Sequence, residues 1–510
     1  MQSPWQEVEL AVDLELAVEN PYTDAEVELI CCDADGRSLI RPAFWDGGST
    51  WRARVALTHP GRWTSEWSVR VEGRREQAPA PDIDVQGLDP TATNVFVRHG
   101  FWRVDRDLGQ VFHADGTLSF VTADTAWAMP WRATTQDVLS YARDRAAKGF
   151  NAVLLMSMQP DMGARGPRDR TQDEGFDVAF DDLADGTLRS LRPEYFQYLD
   201  GIVDILLEHG IVPVWSPLFH GFGWKGLSVI GPVADEADTV RYYRYLVARY
   251  GARPAIYLAG ADGSGRLEQV EAGGKALQHA DCYGQPIGLH YQPHSPADAH
   301  QDAEWLDFQW CQTGHEAEHL AERVAVMAAR QPRRAVANGE PTYENSGFLG
   351  RATGWWQGHE AWSNLFAGSL MGVVYGAGSM WQWRLHADEP GHSPYFLAPG
   401  CGWREALDFE GSGYVGLMGE IVRSLPLEGA ETDWTRAICG RGLSVSDSLL
   451  VLYRPQGGPV QVVSDDVPDH YRILDPRTGA GVATGTLGAD RVIQDPGGDP
   501  RLYILTPEPH

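Results

Sequence analysis

The segment Asn338-Gly339-Glu340-Pro341-Thr342-Tyr343-Glu344 sets an acid between a glycine and a proline, just past a short apolar run at 334–337. A second acid, Asp262, closes a similar run in Leu258-Ala259-Gly260-Ala261-Asp262-Gly263. Singly, each has an ordinary structural reading, Glu340 as a cap or salt-bridge partner and Asp262 as a turn residue. Together they are equipment for cleaving an acetal, in which one carboxylate attacks the anomeric carbon and one carboxylic acid protonates the departing oxygen. Retention of configuration requires the two groups to lie about 5 to 5.5 Å apart.

Groups suited to holding a polyol recur at the ends of other apolar runs: Asp124 and Trp127, Trp215 and His220, His290 and Tyr291, Gln309 and Trp310, Tyr343, and Trp381 with Trp383. Carboxylates and amides pair with vicinal hydroxyls, and indoles stack on a sugar face. Each Trp could equally be core packing, and His220 and His290 could be satisfied structural histidines. Asp307 reads as buried or helix-facing.

What must position these residues is a repeated strand and helix pattern. Eight strand-like runs, at 118–123, 152–156, 212–218, 255–258, 287–290, 305–310, 334–337 and 372–375 (the last running on toward Trp381), alternate with helical segments. Thr134 and Asp137 form a capping box before the stripe Val138, Leu139, Ala142, Ala146, with Gly149 as the stop. Pro193 opens a second helix that ends at Gly210, and the interval between the fifth and sixth runs is short for a helix. Eight such units close into a (β/α)8 barrel, whose chemistry sits on the loops at the C-terminal ends of the strands. Residues 159–191 read as a polar loop over that mouth.

Ahead of the barrel, alternation of Val8, Leu10, Val12, Leu14, Leu16 and Val18 with acids, and of Trp51, Ala53, Val55 and Leu57 with arginines, predicts half-buried strands. The expected architecture is α/β: an N-terminal β-sandwich at 1–88, the barrel at 89–427, and a small all-β domain at 428–510 with strands at 449–453, 471–474 and 502–505. Residues 74–94 read as a linker.

The net charge of −28 disfavours nucleic acid and anionic membrane surfaces, so a small neutral carbohydrate is the expected partner. No apolar run approaches membrane-spanning length, and self-association is left open. Cys31, Cys32, Cys282, Cys311, Cys401 and Cys439 show no framework spacing. Reduced thiols and the absence of a leader-like start predict a cytoplasmic protein, or a secreted one if the chain begins after a removed signal. No cofactor or metal is expected, because a metal-dependent barrel hydrolase would place a His-x-His pair at strand one; His290 and His294 share a loop without a carboxylate cluster. Gly376-Ala377-Gly378-Ser379 reads as a plain turn rather than a phosphate site.

At several of these positions the chain resembles the apiosidase-like glycoside hydrolases. Ala123-Asp124-Thr125-Ala126-Trp127 resembles the family's Gly-Asp-Thr-Ala-Trp, Gly149-Phe150-Asn151 its entry to strand two, Leu258–Asp262 its Leu-Gly-Gly-Asp, and Gly339-Glu340-Pro341 with Tyr343-Glu344 its Gly-Glu-Pro-x-Tyr-Glu. Ala123 and Ala261 depart from family glycines. The sandwich motifs Phe44-Trp45-Asp46-Gly47 and Pro60-Gly61-Arg62-Trp63, and the turn Asp475-Pro476-Arg477-Thr478-Gly479, resemble the domains that flank such barrels. The resemblance implies Glu340 as nucleophile and Asp262 as general acid/base of a retaining glycosidase, exo-acting on a terminal furanoside of β-apiose or arabinofuranose type. The alternatives are a non-catalytic carbohydrate-binding barrel and a pyranoside-specific glycosidase.

Overall fold

The computed structural model describes residues 2–164, 178–315, 321–346, 352–389, 399–438 and 441–509. Part of the expected mouth loop at 159–191, and Cys439, lie outside them.

Eight parallel strands make a nearly closed barrel: Val121–Thr125, Ala152–Met156, Val212–Ser216, Ile256–Gly263, Ile287–Tyr291, Phe308–Gln312, Ala335–Glu340 and Gly372–Gly376. The ladder runs in chain order from strand seven back to strand one, which pairs with strand eight. The remaining seam closes just beyond strand seven, where Glu344 N donates to Gly376 O at 2.9 Å and Gly378 N to Glu344 O at 2.9 Å. Strands two, three, five and eight are buried at every position, which is why they read as unbroken apolar runs rather than alternations.

Helices Thr135–Ala147, Pro193–Glu208, Glu236–Tyr250, Glu268–Ala280, Ala321–Ala328, Trp355–Leu365 and Glu410–Arg423 wrap the barrel. The first carries the Thr134/Asp137 capping box, and the second starts at Pro193. Between strands five and six the chain forms no helix. The apolar residues Trp305 and Leu306 do not begin strand six either. Trp305 is only 2% exposed because it packs on the helix Glu268–Ala280, against Gly274, so its hydrophobicity marks a loop anchor. Likewise Leu118–Ser119 belongs to a small antiparallel sheet with Gln110–His113 rather than to strand one, and past strand eight the chain turns into the short helix Gly378–Trp381.

Two antiparallel sheets precede the barrel. Glu7–Asp13 pairs with Thr50–Ala56, which pairs with Phe44–Trp45; Ala25–Asp33 lies between Ser38–Pro42 and Gly61–Val71. Leu14, Leu16 and Val18 fall outside the first strand. The stretch read as a linker is in fact a strand, Arg74–Val85, paired along Gly61–Val71. It is an edge strand with most of its residues exposed, so it shows no apolar face, and Pro79 and Pro81 are tolerated because an edge need not donate to a further neighbour.

Charge joins these sheets to the barrel. Arg54 and Arg249 both bind Asp200, at 2.7 and 2.8 Å, and Arg249 also reaches Asp46 at 2.9 Å. After Glu410–Arg423 a six-stranded and a three-stranded antiparallel sheet follow, including Leu449–Arg454, His470–Leu474 and Arg501–Thr506. Tyr453 meets the barrel through Trp362 and Phe366. No described helix is long and apolar enough to cross a membrane.

Candidate active site

Glu340 is the last residue of strand seven, 6% exposed, at the C-terminal mouth. Gly339 before it is required by packing: a Cβ there would stand 2.7 Å from Trp310 Cβ and 3.1 Å from His290 Cδ2. Two imidazoles flank the carboxylate, His315 Nε2 at 3.0 Å from Oε1 and His290 Nε2 at 3.4 Å from Oε2. His315 is itself oriented by the backbone N–H of Tyr343, which donates to its Nδ1 at 3.2 Å, and its ring lies 4.3 Å from the Tyr343 ring. Burial pushes the Glu340 carboxyl upward, but the His315 hydrogen bond, reinforced by the two imidazoles and the nearby Tyr343 hydroxyl, outweighs it and holds the group below the usual range.

Asp262 is the penultimate residue of strand four, within the register shifts between Leu258 and Gly263 that mark a bulge. Its φ is +53°, a left-handed conformation that a non-glycine residue adopts only when its surroundings enforce it. Bulges of this kind re-aim side chains near active sites. The carboxyl lies against Gly221 of the loop after strand three, where a Cβ would meet Asp262 Oδ2 at 1.9 Å. Burial first, then the negative charge of Glu340, raises the Asp262 pKa well above that of a free carboxyl, with Lys225 opposing. The two acids therefore face one electrostatic neighbourhood and are driven in opposite directions, one kept ionised and the other protonated.

Lys225 and Phe222 are residues the sequence reading missed. Its Nζ lies 4.9 Å from the Phe222 ring and 5.6 Å from the Trp381 ring, and the charges of Asp262 and Glu340 both act on it. Phe222 has φ +72°. His315 was missed as well, lying three residues past strand six in Gln312-Thr313-Gly314-His315; a histidine after a glycine at a strand end was the available signal.

The other expected ligands divide into two sets. Trp127 and Trp381 line a cleft at the mouth, Trp127 also standing edge-on to His290 at 5.4 Å and Trp381 facing Tyr343 at 6.4 Å. His220, beside Gly260 and Gly263, is buried, and burial drops its pKa to about 4, so it is neutral.

The second set points elsewhere. Asp124 is fully buried, accepting from Arg145 Nε at 2.6 Å and Tyr141 Oη at 3.0 Å, so its carboxylate ties strand one to the helix Thr135–Ala147. Trp215 packs on Tyr250 of a surrounding helix at 4.9 Å. Tyr291 and Gln309 hydrogen-bond each other at 2.7 Å, and both reach Ala299 O, beneath the loop after strand five. Trp310 donates to Met371 Sδ at 3.1 Å inside the barrel. Trp383 stacks on Trp403 at 4.5 Å. Glu344, adjacent to the key motif, accepts from Tyr375 Oη and Gly354 N at 2.7 Å each and so braces the loop. Among the described residues no cluster of three or more His, Cys, Asp or Glu side chains is arranged to hold a metal ion.

A model of the apiosidase-like catalytic domain matches residues 107–428, and a domain of unknown function, DUF5060, matches residues 1–72. No curated protein matches the sequence. Among solved structures, a proposed glycoside hydrolase from Bacteroides vulgatus superposes with TM-score 0.71 at 17% identity, covering 99% of both chains. A glycoside hydrolase family 5 protein from the same organism gives TM-score 0.67 at 19% identity over 80% of this chain and 94% of its own. These structural likenesses carry the fold.

Proposed function

We propose a retaining, exo-acting mechanism on a terminal furanoside, of β-apiose or arabinofuranose type, for this chain, which belongs to the apiosidase-like family of glycosidases. The observation that supports it most directly is the opposed tuning of Glu340 and Asp262 at facing strand ends. Glu340, ionised and held by His315, attacks the anomeric carbon while Asp262 gives its proton to the glycosidic oxygen, and the bond to the aglycone breaks with its electron pair on that oxygen. Asp262, now a carboxylate, takes a proton from water, which attacks the anomeric carbon and releases Glu340. Lys225 faces both carboxyl groups, so its charge stays beside the single negative charge as that passes from Glu340 to Asp262. The neutral product and an acidic protein agree with a small uncharged carbohydrate as substrate. A cytoplasmic location is supported by Cys31, Cys32, Cys282, Cys311 and Cys401 being unpaired.

The test is a panel of nitrophenyl furanosides and pyranosides with the first-formed anomer followed by NMR. Turnover of a furanoside with net retention is expected. Inversion would separate the carboxyl groups into acid and base roles and overturn the mechanism; turnover of pyranosides alone would overturn the substrate class.

A further inference from the structure

We infer that the cleft beside the carboxylate pair is a pocket for one terminal, uncharged sugar residue, and that Gln159 is the side chain that reads a vicinal pair of its hydroxyls. The identity of the ligand rests on the glycosidase reading above; the site rests on Gln159 itself. This residue follows strand two, is 2% exposed, and has neither amide atom in a hydrogen bond with the protein. A buried primary amide with an idle donor and an idle acceptor is costly, and native structures keep such groups where another molecule satisfies them. Both atoms are idle together, and a carboxamide's donor and acceptor, side by side, match two adjacent sugar hydroxyls.

The surroundings support the same ligand. Gln159 shares its cleft with Trp127, Trp131, Phe222 and Trp381, whose apolar faces suit the C–H face of a sugar ring. Trp127 and Trp381 also contact His290 and Tyr343, so the pocket adjoins Glu340. The backbone that carries Gln159 is fixed: Ile230 N donates to Pro160 O at 3.0 Å and Met162 N to Ser228 O at 2.7 Å, clamping this loop to the one after strand three. Asp161 lines the same cleft and Glu340 adjoins it, two carboxylates against the Lys225 ammonium beside Phe222 and Trp381, so the net field opposes uronates, sulfated and phosphorylated sugars.

The experiment follows tryptophan fluorescence of the full chain titrated with apiose, arabinose, xylose, glucose and galactose, and with glucuronate. It compares wild type, Gln159→Leu and Glu340→Gln, alongside kcat and KM on the best nitrophenyl glycoside. At least one neutral monosaccharide should bind wild type, bind Gln159→Leu about 10- to 100-fold more weakly, and outbind glucuronate. Folding of the variant is checked by its Tm, and a monodeoxy analogue of the bound sugar on wild type gives the same loss without any substitution. Equal affinity in Gln159→Leu, no binding of any of these monosaccharides to wild type, or preference for glucuronate would each overturn the pocket assignment. Should Glu340→Gln keep turnover while Gln159→Leu loses binding, the mechanism fails and the pocket stands. With an inactive Glu340→Gln beside an unimpaired Gln159→Leu, the pocket fails and the mechanism stands.

Discussion

Replacing Glu340 with glycine should lower the pKa of Asp262, and the size of the drop measures how close the two carboxyl groups are. On the mechanism proposed above, wild-type turnover requires Glu340 ionised and Asp262 protonated. Activity therefore rises with pH through the depressed pKa of Glu340 and falls through the raised pKa of Asp262. At the separation of about 5.5 Å that a retaining pair adopts, and an effective dielectric near 20, two unit charges repel by roughly 3 kcal/mol, or about 2 pH units. Glu340→Gly removes that repulsion and leaves the burial of Asp262 in place, so the alkaline limb should descend by about 2 pH units. The assay is azide-supported turnover of Glu340→Gly on a phenyl glycoside, whose leaving group is poor enough to need Asp262, with the pH profile set beside the wild-type profile. Azide entering from the vacated side should give the inverted glycosyl azide. An alkaline limb that stays at its wild-type position would mean that Asp262 owes nothing to Glu340, and the two acids would not share a site.

Three further outcomes are expected. His315→Ala removes the donor that holds Glu340 ionised, so the acidic limb of kcat/KM should move up by about 1 pH unit, read from the profile on a nitrophenyl glycoside; no movement would mean that His315 does not oppose burial and would contradict the assignment. Asp124→Ala takes one of two carboxylate partners from the buried Arg145, leaving Asp144, and should destabilise the barrel by up to about 3 kcal/mol in urea melts while KM stays near wild type; an unchanged melt with a raised KM would instead make Asp124 a substrate ligand. Burial pushes the Asp200 carboxyl up, but Arg249 and Arg54 outweigh it and lower its pKa to about 2 in the folded state. It therefore adds about 2 kcal/mol above the unfolded value near 3.9, and this is lost as pH falls toward 2. Thermal melts of wild type and Asp200→Asn should accordingly converge between about pH 4 and 2, and a constant gap would refute the linkage.

How far the sequence discloses such a site depends on what each residue's neighbours do with it. Barrel strands declare themselves because burial on both faces demands continuous apolar runs, and strand two, Ala152–Met156, was legible to the residue. The edge strand Arg74–Val85 was not, since exposure on both faces leaves no period to read. Glu340 and Asp262 were legible because each stands at a strand end, where chain direction alone points it at the mouth. The ligand set was only half legible. Trp127, Trp381 and His290 sit around the cleft and Glu340, but Trp215, Trp310 and Trp383 are equally aromatic, equally near strand ends, and turned into the packing. Which way a side chain turns at a strand end is decided by bulges and by what lies beneath, and neither is written in local residue type. Gln159 is the extreme case. Nothing in its sequence context distinguishes it from a surface glutamine, and only the approach of the segments after strands one, three and eight, with no partner for either amide atom, exposes a demand that a ligand can meet.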